Sequence, residues 1–264
     1  MLGNAKEQTC PQTGQICRLQ RTQLIQYKTV VDDPRFTYEA ISEGMANPMS
    51  KAPTHLRIVA LGDSLTVGFQ SYELSGMGST PYTDFLADHI KREFPLDPFT
   101  VEIVNKGIVG ELSEQMLARF DSDVIRLSPG IVIILGGSND LGWGVAPEEV
   151  FLNLSKMYRR SLENKITPIA CTVPSILGFD GGIPPRTLLN KLVQDHCAEL
   201  GIPCADVFRA TLDEATNRLA FQYSSDGLHL NSEGYRKIGS AIYEEGLRHI
   251  LHAIVERGVS SWGT

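Results

Sequence analysis

Two residues of this chain, Ser64 and His229, could together perform acyl-transfer chemistry, and 165 positions separate them. A serine hydroxyl is a weak nucleophile until a base takes its proton, and that base must be held in one tautomer. Ser64 stands where the apolar run 56–61 turns on Gly62 and Asp63, within LRIVALGDSLTVGF (56–69). Of the six histidines, His229 falls in a loop at the same end of the expected sheet, with Asp226 three residues earlier and Gly227 between. A carboxylate at that distance can curl back onto Nδ1 and leave Nε2 to face Ser64. A serine after a strand is often only a helix cap, and aspartates are common in turns. It is the conjunction of the three that points to nucleophile, base and orienter.

Acyl transfer also needs donors for the oxyanion of the tetrahedral intermediate, and losing one typically costs a hundredfold or more in rate. Asn139, after GIVIILGGS (130–138), could aim its side-chain NH2 there. Gly110, in the loop NKGIVG (105–110), could offer a backbone N–H with no side chain in the way. The Ser64 N–H, at a helix start, would be a third. The plainer readings are a turn or cap residue for Asn139 and a left-handed turn for Gly110.

These positions need a scaffold. Short apolar runs at 56–61, 101–104, 130–135, 166–172 and 203–207 show little polar alternation, as strands buried on both faces do. Helical patterns lie between and after them, near 81–94, 113–127, 147–163, 187–200 and 232–256. Pro147 followed by Glu148 and Glu149 reads as a helix start, and Asn231 or Ser232 as a cap for the last helix. Such alternation implies a parallel sheet with helices on both faces, whose ligands bind beyond the C-terminal strand ends. Ser64, Gly110 and Asn139 follow the first three expected strands, and His229 falls after the fifth and before the last helix. Residues 1–55 do not fit the pattern. They carry one strand-like run, 24–31, and a linker-like stretch, 45–53, and read as an arm before a domain spanning 56–264.

Composition narrows the function. A net charge of −7, with no Lys/Arg block, argues against nucleic acid as partner. No apolar stretch is long enough to cross a bilayer, so no membrane insertion is expected. The first 20 residues are polar, which suggests a cytoplasmic protein and leaves open a secreted one with its leader removed. Five cysteines, an odd number, favour reduced thiols. Cys10 with Cys17, or Cys197 with Cys204, could still form local bridges, and Cys171 reads as a small core residue. His249 and His252 read as solvated surface groups. No G-x-S-x-G, P-loop or H-E-x-x-H pattern is present.

Taken together, Gly62-Asp63-Ser64-Leu65, Gly110 after Asn105-x-Gly107, Gly137-x-Asn139-Asp140 and Asp226-x-x-His229 resemble the four sequence blocks of the SGNH/GDSL hydrolases, in that family's order. The resemblance spans about residues 56–250. It implies a three-layer α/β/α sandwich of flavodoxin-like type, with a five-stranded parallel sheet and neither metal nor cofactor. It also implies Ser64 as nucleophile, His229 as base, Asp226 as its orienter, and Gly110, Asn139 and the Ser64 N–H as oxyanion hole. Substrate contacts are expected from Asp63, Trp143, Val173, Pro174 and Leu228, with the loops 70–80 and 173–185 as walls. The implied reaction is hydrolysis of small carboxylic esters with short acyl chains. Acetylated carbohydrates are the nearest alternative, thioesters and lysophospholipids more distant ones. A flavodoxin-like binding module is the non-enzymatic reading. Homo-oligomerisation is left open.

Overall fold

Strand β1 (His55–Gly62) carries the molecule's organisation: β2 (Thr100–Gly107) pairs on one side of it and β3 (Ile131–Leu135) on the other. β4 (Thr167–Cys171) and β5 (Cys204–Ala205) continue past β3, giving one parallel sheet in the order β2-β1-β3-β4-β5. The computed structural model describes residues 55–70, 80–94 and 100–260. The strand-like run 24–31, the stretch 45–53, Cys10, Cys17 and most of the loop 70–80 lie outside them.

Strand residues point alternately to the two faces, and both faces are apolar. Ile58, Ala60, Ile131, Ile133 and Leu135 join one core, and Val59, Leu61, Val132 and Ile134 the other. All nine are essentially inaccessible to water, and full burial of each large one contributes roughly 1.5–3 kcal/mol. Helices α2 (Tyr82–Glu93) and α7 (Ser232–Ala241) cover the first core, through Tyr82, Leu86, Tyr235 and Ile238. Helices α3 (Ser113–Ala118), α5 (Pro147–Glu163) and α6 (Ile183–Leu200) cover the second, through Met116, Phe151, Leu154, Leu189 and Val193. The result is the expected three-layer α/β/α arrangement. Two short helices, α1 (Ser64–Val67) and α4 (Ser138–Gly142), follow β1 and β3 directly. The chain leaves β1 toward β2 but returns on the other side to form β3. The crevice where the direction changes therefore opens between the ends of β1 and β3, the usual ligand position in such sheets.

Helix α5 starts with Pro147 in its first turn and Glu148 and Glu149 behind it, as expected. Two other helices depart from the reading. The pattern at 113–127 is broken into α3, a turn at Phe120–Asp123 and a 3-10 turn at Ile125–Leu127. Arg119 sits at the first break with φ −95 and ψ 5, its side chain committed to the strand ends. The last helix is interrupted by a π-helical segment, Ile242–Leu247, before α8 (Arg248–Ser260). Gly246 lies in it so close to β4 that a Cβ would stand 2.6 Å from Ile169, so the wide turn accommodates close backbone packing.

Cys171, Cys197 and Cys204 are free thiols, so the local bridge between the last two does not form. His252 is a surface partner of Glu93 at 2.7 Å, and the described residues contain no metal-binding cluster of His, Cys, Asp or Glu. No helix among the described residues is long and apolar enough to cross a membrane.

Candidate active site

The turn after β1 decides what Ser64 is free to do. Asp63, not Ser64, caps α1: its Oδ1 accepts from Leu65 N at 2.9 Å, and its carbonyl accepts from Thr66 N and Val67 N at 3.1 Å each. The helix lasts one turn and ends at Gly68 in a left-handed conformation, φ 83. Ser64 is thereby the first helical residue, with its hydroxyl not consumed in capping and its N–H one of the orphan donors of a helix start. Gly62 permits the tight packing beneath. A Cβ there would lie 2.2 Å from Thr66 Oγ1 and 2.3 Å from Leu135 O.

The opposing loop is built by its own short-range bonds. Ser224 and Leu230 form an isolated bridge, and Ser225 N donates to His229 O at 2.9 Å. Gly227, with φ 91, donates to Ser224 Oγ at 2.6 Å while its carbonyl accepts from Leu177 N at 2.8 Å. Asp226 Oδ1 accepts from both Leu228 N (2.9 Å) and His229 N (2.6 Å). Its Oδ2 lies 2.7 Å from His229 Nδ1, and His229 Nε2 lies 3.2 Å from Ser64 Oγ. A carboxylate can only accept, which assigns the imidazole proton to Nδ1 and makes Nε2 the acceptor of the Ser64 O–H. Phe69 packs edge-on against the imidazole, centroids 4.6 Å apart, and its carbonyl is held by Tyr235 O–H at 2.6 Å. The arrangement can pass the Ser64 proton to Nε2 while Asp226 stabilises the imidazolium that forms.

The expected oxyanion donors lie on segments joined by direct bonds. Ile108 N donates to Gly62 O at 3.0 Å, seating the loop after β2 against the end of β1. Gly110 has φ 76, and a Cβ there would meet nothing within 4 Å. Its N–H and that of Ser64 have no acceptor among the described residues. Asn139 Nδ2 donates one hydrogen to Glu111 O at 2.9 Å, leaving its second N–H uncommitted. Sequence reasoning gave no role to Asp140. It is buried, and its carboxylate accepts from Ser113 N (2.9 Å) and Ser113 Oγ (2.6 Å), pinning α3 to α4. Asn105 is similar: its Nδ2 donates to Thr66 O at 2.6 Å and its Oδ1 accepts from Gly107 N at 2.9 Å. Both stand inside the sequence blocks quoted above, so their positions were visible though their roles were not.

Three expected substrate contacts are corrected. Asp63 is 0% exposed and faces the interior. Its Oδ2 has no hydrogen-bond partner among the described residues, and burial pushes the carboxyl up to about 7. Val173 and Pro174 are also buried. An amide pair with Asn190 holds both backbone groups of Val173, at 2.7 and 2.9 Å. The exposed part of that loop is further on, at Gly178, Phe179, Asp180 and Gly181. Leu228 is half-buried next to His229, and Trp143, three residues past Asp140, is 81% exposed.

Residues 60–237 match the family model described as GDSL-like Lipase/Acylhydrolase family. No curated protein matches the chain. Among solved structures, the chain is similar to a GDSL-like lipase from Bacteroides thetaiotaomicron VPI-5482, with 23% identity and a TM-score of 0.58, over 81% of this chain and 96% of that one. It is also similar to an acetylxylan esterase from Geobacillus stearothermophilus, with 21% identity and a TM-score of 0.61, over 74% and 96% of the two chains. At such identities the likeness speaks to the fold.

Proposed function

Since the chain belongs to the GDSL-like lipase/acylhydrolase family, we propose that it is a serine esterase that hydrolyses short-chain carboxylic esters through an acyl-enzyme. The observation that carries this reading is the continuous path from Ser64 Oγ to His229 Nε2 (3.2 Å) and from His229 Nδ1 to Asp226 Oδ2 (2.7 Å). Ser64 Oγ attacks the ester carbonyl carbon as its proton moves to Nε2. The carbonyl oxygen becomes an oxyanion, stabilised by the N–H groups of Ser64 and Gly110 and the Asn139 side chain. As the intermediate collapses, the C–O bond to the alcohol breaks and Nε2–H protonates the leaving oxygen. Water then gives a proton to Nε2 as its oxygen attacks the acyl carbon; the C–Oγ bond breaks, Nε2–H returns its proton to Ser64 Oγ, and the acid leaves. Asp226 keeps the imidazole in the tautomer that can accept.

A second reading, deacetylation of carbohydrates, is favoured by the broad exposed indole of Trp143 beside α4. An aromatic face of that kind stacks on a sugar ring. The neighbouring acetylxylan esterase fold is compatible with either reading.

The test is a chain-length series of chromogenic esters run beside acetylated xylo-oligosaccharides, with Ser64→Ala as blank. Loss of at least four orders of magnitude in Ser64→Ala, with an unchanged melting temperature, is the expected result. An organophosphonate should add to Ser64, read by mass spectrometry of the peptide. Retained hydrolysis in Ser64→Ala, or no adduct at Ser64, overturns the reading.

A further inference from the structure

We infer that Arg119 is a positioning residue for the oxyanion donors, a reading that rests on the esterase proposal above. One guanidinium touches the segments that lead to two of them, Ser64 and Gly110, and reaches the third, Asn139, through Glu111. Nε donates to Glu111 Oε1 at 2.6 Å and Nη2 to Glu111 Oε2 at 2.5 Å, a two-point grip on the residue after Gly110. The second hydrogen of Nη2 is shared between Lys106 O at 2.8 Å, near the end of β2, and Gly62 O at 3.3 Å, two residues before Ser64. Nη1 is held in turn by Asp123 Oδ2 at 2.8 Å. The carbonyl of the gripped Glu111 is the acceptor for Asn139 Nδ2. Ser64, Gly110 and Asn139 are thus each one or two residues, or one hydrogen bond, from a group that Arg119 fixes.

Burial gives the grip its stiffness. The side chains of Arg119 and Glu111 are 14% and 5% exposed, so the pair is shielded from water on most sides. Removing either partner of a shielded pair leaves a charge with poor solvation. The fork geometry is specific to arginine, since a lysine ammonium cannot bond both carboxylate oxygens and two separate carbonyls at once. The break in the helical pattern falls at residue 119 itself, the residue whose side chain reaches the strand ends. The site tolerates little slack: donors must sit about 2.7–3.1 Å from the oxyanion, and a displacement of about 1 Å can lower the rate a hundredfold.

Arg119→Lys and Glu111→Gln test the inference. In Arg119→Lys the loop 107–112 loses its two-point anchor, and kcat should fall roughly tenfold to a hundredfold with KM within about threefold. Affinity for an aryl boronic acid, which mimics the tetrahedral intermediate, should fall in parallel with kcat/KM. Glu111→Gln keeps one acceptor and should shift the same quantities in the same direction by less. It also carries the test should Arg119→Lys fail to fold. An unchanged kcat, an increase confined to KM, or a loss no larger than the unfolded fraction overturns the inference. A readout independent of turnover separates this from failure of the esterase reading. Amide exchange at Ile108 and Glu111, whose N–H groups donate to Gly62 O at 3.0 Å and Ile108 O at 3.3 Å, should accelerate in Arg119→Lys while β3 stays protected. Unchanged exchange there overturns the inference whether or not the wild-type chain cleaves esters.

Discussion

Ser64 stands at the end of a strand buried on both faces, whereas His229 stands on a loop beyond a two-residue strand. The turn that presents Ser64 is continuous with the core. Gly62, Asp63, Leu65 and Thr66 are all buried, and a Cβ on Gly62 would collide with the carbonyl of Leu135 in β3. The loop that presents His229 is tied mostly to itself. Asp226 accepts from the backbone amides of Leu228 and His229 and from the imidazole, and these bonds span no more than three residues. Ser64, the proposed nucleophile, is therefore placed by the packing of the sheet, and His229, the proposed base, by local turn geometry. Damage to the packing beneath Ser64 should appear as lost stability, damage to the His229 loop as lost rate in a protein that still folds.

Among substitutions that keep the Ser64 hydroxyl, the largest effect is expected at the histidine end. Asp226→Asn keeps the size of the side chain but places an amide where the carboxylate oriented Nδ1, favouring the wrong tautomer. It should lower kcat/KM by roughly a thousandfold or more, with the melting temperature within a few degrees of wild type. Equal losses of rate and of folded protein would erase the contrast.

Paired glycine substitutions sharpen it. Gly62→Ala forces a methyl against Thr66 Oγ1 and Leu135 O in the core, and denaturant unfolding should show a loss of about 2–4 kcal/mol. Gly227→Ala meets Leu177 O at 2.6 Å at a φ of 91, but on a loop that can shift. There the stability loss should be about 1 kcal/mol, and ester hydrolysis should fall by roughly tenfold or more as His229 moves from Ser64. The reverse pattern would show that the histidine loop, not β1, is integral to the core.

The smallest effect concerns the buried carboxyl of Asp63, beside Ser64. Asp63 is raised to about 7 in the folded chain, against about 3.9 for an unfolded one. The folded state therefore holds its proton more tightly, and wild-type stability should fall as pH rises from about 4 through about 7, then level off. Asp63→Asn retains an oxygen for Leu65 N and removes the titration. Its melting temperature should match wild type near pH 4 and exceed it at pH 8, by an amount equivalent to about 1–3 kcal/mol. A gap that does not widen with pH would mean that Asp63 is charged, and stabilised, in the fold.

Much of this was legible in the residues themselves. The strands are short, continuous apolar runs because both faces of the sheet are covered, and that pattern needs no partner to be read. Asp226 and His229 are three residues apart, so their bond follows from local chain geometry. The helix breaks were less visible. The apolar spacing of 113–127 continues through Arg119, and only the strand ends it reaches explain why the helix stops there. Val173 and Pro174 looked like loop residues, but the amide pair with Asn190, 17 residues on from Val173, draws that stretch into the interior.

By itself, then, the sequence determined the parallel sheet and the chemical identity of the groups at its C-terminal edge, because hydrophobic run length and local spacing are properties of the chain. Tertiary structure decided which of Asp63 and Ser64 caps the first turn, that Ser64 Oγ and His229 Nε2 meet at 3.2 Å, and that Arg119 binds three separate segments at once. Each of those depends on groups far apart in sequence arriving at one point, and hydrogen-bond geometry there is set to tenths of an ångström by the packing of the entire core.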